Sequence, residues 1–128
     1  MKEHVIIIDD DPIVILIMEK LLKNTGFHPK PISFESGVSA LKHLKSIYNN
    51  DQHFVIFLDI NMPEMNGWQF LEKLASFANL SNTDVAIITS STDGFDKQQA
   101  DTFPLVKEYF TKPILKGDIT QLQSRFNQ

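Results

Sequence analysis

Short segments that fit β-strands, three of them almost purely apolar, alternate with segments of helical periodicity along the whole chain of 128 residues. The strand-like segments cover residues 5–8, 27–34, 54–58, 85–89 and 106–110. Strands that alternate with helices form right-handed βαβ units, and these units build a parallel sheet. Near-continuous apolar strands also fit a sheet that is buried on both faces. The alternation therefore predicts a single α/β domain over residues 1–128.

Five helices are predicted between and after these strands. Asp11 and Pro12 begin the first one, as an N-cap acid followed by proline at the first helical position, and Gly26 ends it. Its predicted inward face consists of Val14, Ile17, Met18, Leu21 and Leu22. The other helices are expected over residues 36–48, 67–77 and 95–103, and from Asp118 onward, where Asp-x-x-Gln resembles a capping box.

The second strand-like run indicates the order of the strands. Pro29 and Pro31 remove backbone hydrogen-bond donors from it, which places it at an edge of the sheet. The natural order is then 2-1-3-4-5, which is a flavodoxin-like, doubly wound, five-stranded parallel sheet with five helices. Sheets of this kind bind ligands beyond the carboxyl ends of the strands, at the switch point between strands one and three.

Polar side chains follow the four predicted non-edge strands at the point where each ends. They are Asp9 and Asp10 after the first strand, Asp59 after the third, Thr89 on the fourth and Lys112 after the fifth. Three neighbouring carboxylates repel one another unless a proton or a cation intervenes. Carboxylates are hard ligands, so the expected ion is Mg²⁺. Lys112 and Thr89 suit phosphate oxygens, and an aspartate can act as a nucleophile that forms an acyl phosphate.

Composition excludes several other classes of function. The net charge of −4 argues against a nucleic-acid-binding surface as the main activity. The chain has no cysteine, which excludes thiol catalysis and zinc-thiolate sites and fits a reducing compartment. Residues 13–18 form the longest purely apolar run, far short of a membrane span. We therefore expect a cytoplasmic protein with no nucleic-acid or membrane partner.

Four motifs follow one another along the chain. They are the pair Asp9-Asp10 after the first strand, LDINMPEMNGW at residues 58–68, ITSS at residues 88–91 and YFTKP at residues 109–113. In this order and spacing they resemble the receiver domain of two-component response regulators, and specifically a stand-alone, chemotaxis-regulator-like one. The resemblance covers essentially the whole chain.

The resemblance implies a magnesium site and a phosphoacceptor. Asp59 is similar to the phosphoacceptor of the family. Asp10 is similar to the direct Mg²⁺ ligand, and Asp9 to the acid that holds the ion through a water molecule. Asn61 would offer its backbone carbonyl to Mg²⁺, and Asp59 would also be a ligand.

The resemblance also implies a switch. Thr89 matches the hydroxyl that closes on the phosphoryl group, and Lys112 matches the lysine that pairs with it. Tyr109 matches the aromatic residue that turns inward on activation. The peptide bond that corresponds to Lys112-Pro113 is usually cis in the family. Leu16, opposite Val14 on the first helix, is either a lone exposed leucine or a docking contact for a phosphodonor, because kinases and phosphotransfer domains approach the family near the first helix.

These roles imply two-component signal transduction. Asp59 would receive a phosphoryl group from a histidine kinase or phosphotransfer domain in a Mg²⁺-dependent reaction. The domain would then change conformation and alter its binding to an unknown downstream protein. It would assist its own phosphorylation and dephosphorylation, without being an enzyme in the ordinary sense.

Other interpretations of the same residues remain open. Asp9-Asp10 before a helix can be capping residues, Asp59 can be a turn former, and Tyr109 can be a packing residue. A haloacid-dehalogenase-type phosphohydrolase also uses a strand-end aspartate. Its mechanism requires a second acid two residues later, as the acid/base, where this chain has Asn61. A pseudo-receiver signals without phosphate, but usually lacks part of the acid and lysine set.

Two positions depart from the common receiver pattern. Ser90 stands where the family often has alanine, and the chain reads Thr102-Phe103-Pro104 where a glycine is usual before the fifth strand. The shape of the surface between the fourth helix and the fifth strand is therefore not predicted.

Overall fold

The computed structural model describes residues 2–27 and 30–126. Strands and helices alternate throughout this part of the chain: β1 Glu3–Ile8, α1 Pro12–Asn24, β2 Ile32–Phe34, α2 Gly37–Ile47, β3 His53–Leu58, α3 Gly67–Ala75, β4 Thr83–Thr89, α4 Gly94–Ala100, β5 Val106–Thr111 and α5 Lys116–Phe126. None of these described helices has the length and apolar composition that crossing a membrane requires.

The five strands form one parallel sheet in the order β2-β1-β3-β4-β5. This confirms the predicted flavodoxin-like fold, with β2 at an edge. The edge strand has only three residues, shorter than the predicted run over residues 27–34, because Pro31 precedes it and offers no backbone donor. Pro29 lies outside the described residues.

The core has two layers, one on each face of the sheet. One layer joins the sheet to α2 and α3, and the largest of its fully buried side chains include Phe54 and Phe70. The other joins the sheet to α1 and α5, around Phe57 and Met18. Since β1, β3 and β4 contribute side chains to both layers, their strand ends are held rigidly at one rim of the sheet.

The predicted inward face of α1 is wrong in one position. Ile17 is 53% exposed, whereas Ile15, which was not assigned to that face, is buried together with Met18 and Leu22. Residues 15, 18 and 22 form one stripe at helical spacing, and Ile17 lies about 200° around the helix from Ile15. Because residues 13–18 are all apolar, hydrophobicity alone does not show which of them faces the sheet.

The beginning of α1 follows the prediction and that of α5 does not. The side chain of Asp11 accepts a hydrogen bond from the N–H of Ile13, with Pro12 at the first helical position. The helix α5 begins at Lys116, before the predicted start at Asp118. The carboxylate of Asp118 instead reaches back and accepts a hydrogen bond from the N–H of Leu115 at 2.9 Å, inside the first turn.

The segment between α4 and β5 is short and closed by an aromatic contact. The helix α4 ends at Ala100, earlier than the predicted end at residue 103. Phe103 leaves the helix and stacks on Trp68 of α3, with ring centroids 5.8 Å apart and planes inclined by 14°. None of the described residues 101–105 between α4 and β5 has a positive φ, so the chain enters β5 without needing a glycine there.

Candidate functional site

Backbone hydrogen bonds hold the ends of neighbouring strands together at the rim of the sheet. The N–H of Asp9 donates to the carbonyl of Phe34, and the N–H of Asp59 donates to the carbonyl of Ile8. On the other side, the N–H of Lys112 donates to the carbonyl of Thr89 at 2.7 Å. The residues that follow β1, β3 and β5 are thereby fixed relative to their neighbours.

Three carboxylates meet at this rim. Asp9, Asp10 and Asp59 each place an oxygen atom within 4.8 Å of the other two. Asp9 and Asp59 are only 2% and 5% exposed, whereas Asp10 is exposed to solvent. One oxygen of Asp9 accepts a hydrogen bond from the N–H of Asp11, which orients this carboxylate. The predicted acids are therefore brought together, with one accessible side.

The electrostatics of the cluster show excess negative charge. Burial and then the charge of Asp9 raise the pKa of Asp59 to about 6, although the charge of Lys112 and a hydrogen bond from the N–H of Asn61 act in the opposite direction. A single lysine thus leaves Asp59 harder to ionise than a free aspartate. The donor set of three hard carboxylates, one of them exposed, fits a small divalent cation such as Mg²⁺.

Lys112 reaches the cluster from the loop after β5. Its Nζ lies 2.8 Å from Asp9 Oδ2 and 3.6 Å from Asp59 Oδ2. Burial lowers the pKa of Lys112, but the hydrogen bond to Asp9 and the charge of Asp59 outweigh burial, so its pKa is raised overall. The ammonium therefore stays charged. The peptide bond between Lys112 and Pro113 is cis.

Of the remaining predicted residues, Asn61 contacts the cluster, Thr89 ends the strand next to β3, and Tyr109 lies on β5 against α4. Thr89 is fully buried at the end of β4, and its hydroxyl accepts a hydrogen bond from the N–H of Ser91 at 3.2 Å. Asn61 is exposed, and its N–H donates to Asp59 Oδ1 at 3.4 Å. Tyr109 lies on β5, with a hydroxyl oxygen that is enclosed and has no hydrogen-bond partner within residues 2–27 and 30–126. Burial, and then the charges of Asp96 and Asp93, raise the pKa of Tyr109.

The loop between β3 and α3 contains a steric constraint that was not predicted from the sequence. Asn66 caps α3 through a capping box with Gln69. A Cβ atom on Gly67 would lie 2.6 Å from the Cα of Ile60, the residue after Asp59. The absence of a side chain at Gly67 therefore lets α3 begin directly against the strand end that carries Asp59. The Asn-Gly pair before an apolar helix was the available signal.

An apolar patch beside the cluster was only partly foreseen through Leu16. We define the α1 patch as the exposed side chains of Ile13, Leu16 and Ile17. Next to it is a cavity of about 270 Å³, lined by Val14, Ile17, Met18, Ile88, Lys112, Pro113 and Ile114. Since Lys112 lines this cavity and also contacts Asp9, the α1 patch borders the carboxylate cluster. The all-apolar run at residues 13–18 was the signal for an outward-facing surface.

Comparisons with known proteins agree with this geometry. The hybrid signal transduction histidine kinase L of Dictyostelium discoideum is 29% identical over 126 residues, which are 97% of this chain but only 7% of that protein. Protein PilG of Pseudomonas aeruginosa is 29% identical over 115 residues, which are 90% of this chain and 80% of that protein. A two-component response regulator from Cytophaga hutchinsonii has a structure that matches with a TM-score of 0.88 at 27% identity, covering 100% of both chains.

The family model that describes the response regulator receiver domain matches residues 5–124. This match includes the carboxylates after β1 and β3, the hydroxyl at the end of β4 and the lysine after β5. The chain belongs to the response regulator receiver domain family.

Proposed function

We propose that this chain receives a phosphoryl group on Asp59 from a histidine kinase or phosphotransfer domain, and that Mg²⁺ is required. One cluster supports this role above all: Asp9, Asp10 and Asp59 lie within 4.8 Å of one another, with the ammonium of Lys112 in contact with two of them. This combination of excess carboxylate and one fixed cation suits a phosphoryl group, whose oxygens need positive partners.

The transfer step uses a carboxylate oxygen of Asp59 as the nucleophile. This oxygen attacks the phosphorus atom of a phosphohistidine, the P–N bond breaks, and the imidazole nitrogen of the donor leaves with the bonding electron pair. Asp59 becomes an acyl phosphate. Asp10, Asp59 and the backbone carbonyl of Asn61 would hold Mg²⁺, with Asp9 acting through water. The bound ion would supply positive charge to the phosphoryl oxygens.

Phosphorylation would then change the conformation of the domain. The hydroxyl of Thr89 and the ammonium of Lys112 are two groups at the rim that can bond to phosphoryl oxygens. Movement of Thr89 toward Asp59 would carry the loop after β4 with it and alter the surroundings of Tyr109. A downstream protein, still to be identified, would bind the changed surface. The domain does not turn over an external substrate, and its setting is the cytoplasm.

The phosphodonor would dock on the α1 patch. A donor histidine must come within bonding distance of Asp59, so its carrier must contact the surface next to the carboxylate cluster. The α1 patch is apolar, exposed and adjacent, with Leu16 at 52% exposure. We expect Leu16→Ala to lower the rate of transfer from a cognate kinase or phosphotransfer domain. Val38→Ala is the matched control, because Val38 is 51% exposed but lies on α2. An unchanged rate in Leu16→Ala would refute this docking site.

Phosphorylation itself is tested by intact mass spectrometry after incubation with Mg²⁺ and a small acyl phosphate such as acetyl phosphate. The expected result is one phosphate adduct that requires Mg²⁺ and disappears in Asp59→Asn. Asp51→Asn is the control, because Asp51 is an exposed acid that precedes β3 at the opposite end of the strand. If neither a small donor nor a kinase produces an adduct, the chain is a pseudo-receiver. Steady hydrolysis of a phosphate ester would instead favour a phosphohydrolase.

A further inference from the structure

Ser91 connects the end of β4 to α4 through three hydrogen bonds. Its N–H donates to the hydroxyl of Thr89, and its own hydroxyl donates to Asp96 Oδ2 at 2.5 Å. The same hydroxyl accepts a hydrogen bond from the N–H of Asp93 at 3.2 Å. Asp93 caps α4 by accepting from the N–H of Phe95. A single residue thus ties the predicted switch hydroxyl, through its backbone N–H, to the first turn of α4, through its side chain.

The two bonds on either side of Ser91 differ in strength. The bond to the carboxylate of Asp96 is short and charge-assisted, the stronger kind of hydrogen bond. The bond from the N–H of Ser91 to Thr89 is 3.2 Å long, at the upper limit for an N–H···O bond. Ser91 is only two residues from Thr89 along the chain, so a displacement of Thr89 toward Asp59 would carry the backbone of Ser91 with it and draw the Ser91 hydroxyl away from Asp96.

The hydroxyl of Tyr109 is a second donor to which the Asp96 carboxylate could bond. Its hydroxyl is enclosed and lacks a hydrogen-bond partner within the described part of the chain, which is an unfavourable state for a buried donor. Asp96 is near enough for its charge to act on this hydroxyl. The ammonium of Lys97, from the next position on α4, lies 5.7 Å from the centre of the Tyr109 ring. The first turn of α4 therefore already contacts Tyr109.

We propose that the hydrogen bond between Ser91 and Asp96 is a latch that holds the loop after β4 and the first turn of α4 in the unphosphorylated arrangement. When Thr89 moves toward a phosphoryl group on Asp59, the Ser91 hydroxyl leaves Asp96, and the freed carboxylate accepts a hydrogen bond from Tyr109. This regulation rests on the proposed function, since it is the phosphoryl group that would displace Thr89.

Hydrogen exchange of the unphosphorylated protein tests the latch without any phosphodonor. In Ser91→Ala we expect the amides of residues 93–100 to exchange roughly two- to tenfold faster, the effect of one lost hydrogen bond on a local opening equilibrium. Ser91→Thr keeps the hydroxyl and should exchange like the wild type. Thr92→Ala, at an exposed neighbour in the same loop, should do the same. Equal acceleration in Thr92→Ala, or none in Ser91→Ala, would overturn the latch.

A second variant and a second signal distinguish a local effect on α4 from a loss of stability of the whole domain. Asp96→Ala removes the same bond from the other side and should accelerate exchange in residues 93–100, while amides of α2 keep their wild-type rates. In Ser91→Ala the ¹³Cζ resonance of Tyr109 should shift. That of Tyr48 should not, because its hydroxyl is bonded to Asn82 at the far end of the sheet. An unchanged Tyr109 resonance would refute the exchange of partners.

Beryllofluoride with Mg²⁺, a mimic of an acyl phosphate, separates this proposal from the function on which it rests. Bound to the wild type, it should accelerate exchange in residues 93–100 and shift the Tyr109 resonance in the direction seen for Ser91→Ala. If it binds and residues 93–100 become more protected, release of the latch is wrong while phosphorylation stands. If it does not bind, the proposed function fails, and the Ser91→Ala comparison still decides whether the bond holds α4.

Discussion

The ammonium of Lys112 lies closer to Asp9 than to Asp59, at 2.8 Å against 3.6 Å. In this state the lysine neutralises the acid that the proposed mechanism assigns to the metal ion, and contacts Asp59, the proposed phosphoacceptor, only at the limit of an ion pair. A metal ion beside Asp9 would therefore compete with Lys112 and leave it free to pair with a phosphoryl group on Asp59.

Replacing Lys112 by methionine should tighten Mg²⁺ binding. The variant removes a cation that competes for Asp9, and a charge at this distance is worth on the order of 1 kcal/mol in a partly screened site, or about fivefold in affinity. Titration of each protein with Mg²⁺, followed by calorimetry or amide chemical shifts, measures the effect. Lys116→Met is the matched control, because Lys116 is exposed at the start of α5. Equal or weaker binding in Lys112→Met would contradict the competition.

Gly67→Ala should destabilise the domain and Gly117→Ala should not. The new Cβ at residue 67 would lie 2.6 Å from the backbone of Ile60, so the strand end or α3 must shift, at about 2–3 kcal/mol. A Cβ at Gly117 meets nothing within 4 Å, and alanine there should add about 0.5 kcal/mol by restricting the unfolded chain. Urea unfolding of both variants measures the difference. Similar stabilities would show that the loop after β3 adapts freely.

Stability should fall as the pH rises from about 6.5 to 9, because His53 loses its proton over this range. A hydrogen bond to Asp84 and another to Glu3 raise the pKa of His53 to about 9. The folded pKa lies above the unfolded value of 6.5, so this contribution is complete below pH 6.5 and is lost as the pH passes 9. After allowance for partial exposure of the ring, we expect protonated His53 to contribute on the order of 2 kcal/mol to the free energy of unfolding.

The measurement is urea unfolding of the wild type and of His53→Gln at pH 6 and pH 10. The stability difference between the two proteins should be largest at pH 6 and shrink toward pH 10, since glutamine does not titrate. A difference that stays constant over this range would show that His53 is not held charged by Asp84 and Glu3.

Two neighbouring isoleucines of α1 should respond in opposite ways to truncation. Ile15→Ala removes a buried side chain from the layer between α1 and the sheet, and should lower the free energy of unfolding by about 2–4 kcal/mol. Ile17→Ala trims a half-exposed side chain and should change it by less than about 0.5 kcal/mol. Thermal or urea unfolding distinguishes them. The reverse ranking would restore the inward face that the sequence predicts.

Hydrophobic alternation and proline positions were sufficient to predict the order of the sheet. A central strand cannot lose its backbone donors, so Pro31 indicates an edge whatever the rest of the fold is. Once the order is known, the carboxyl ends of parallel strands must share one rim, and Asp9, Asp59 and Lys112 must approach each other there. These relationships follow from chain direction and side-chain chemistry, and both can be inferred from the order of residues in the sequence.

Other relationships depend on distances of a few ångströms between side chains on different elements. Ile15 rather than Ile17 faces the sheet because the rotation of α1 is set by how its whole surface packs on β1 and α5. The preference of Lys112 for Asp9, the contact of Gly67 with Ile60 and the bond between Ser91 and Asp96 likewise depend on loop geometry. The sequence by itself therefore determined which groups meet at the rim. Only the tertiary packing decided which of them are partners, because a shift of about an ångström is enough for a hydrogen bond or an ion pair to change partner.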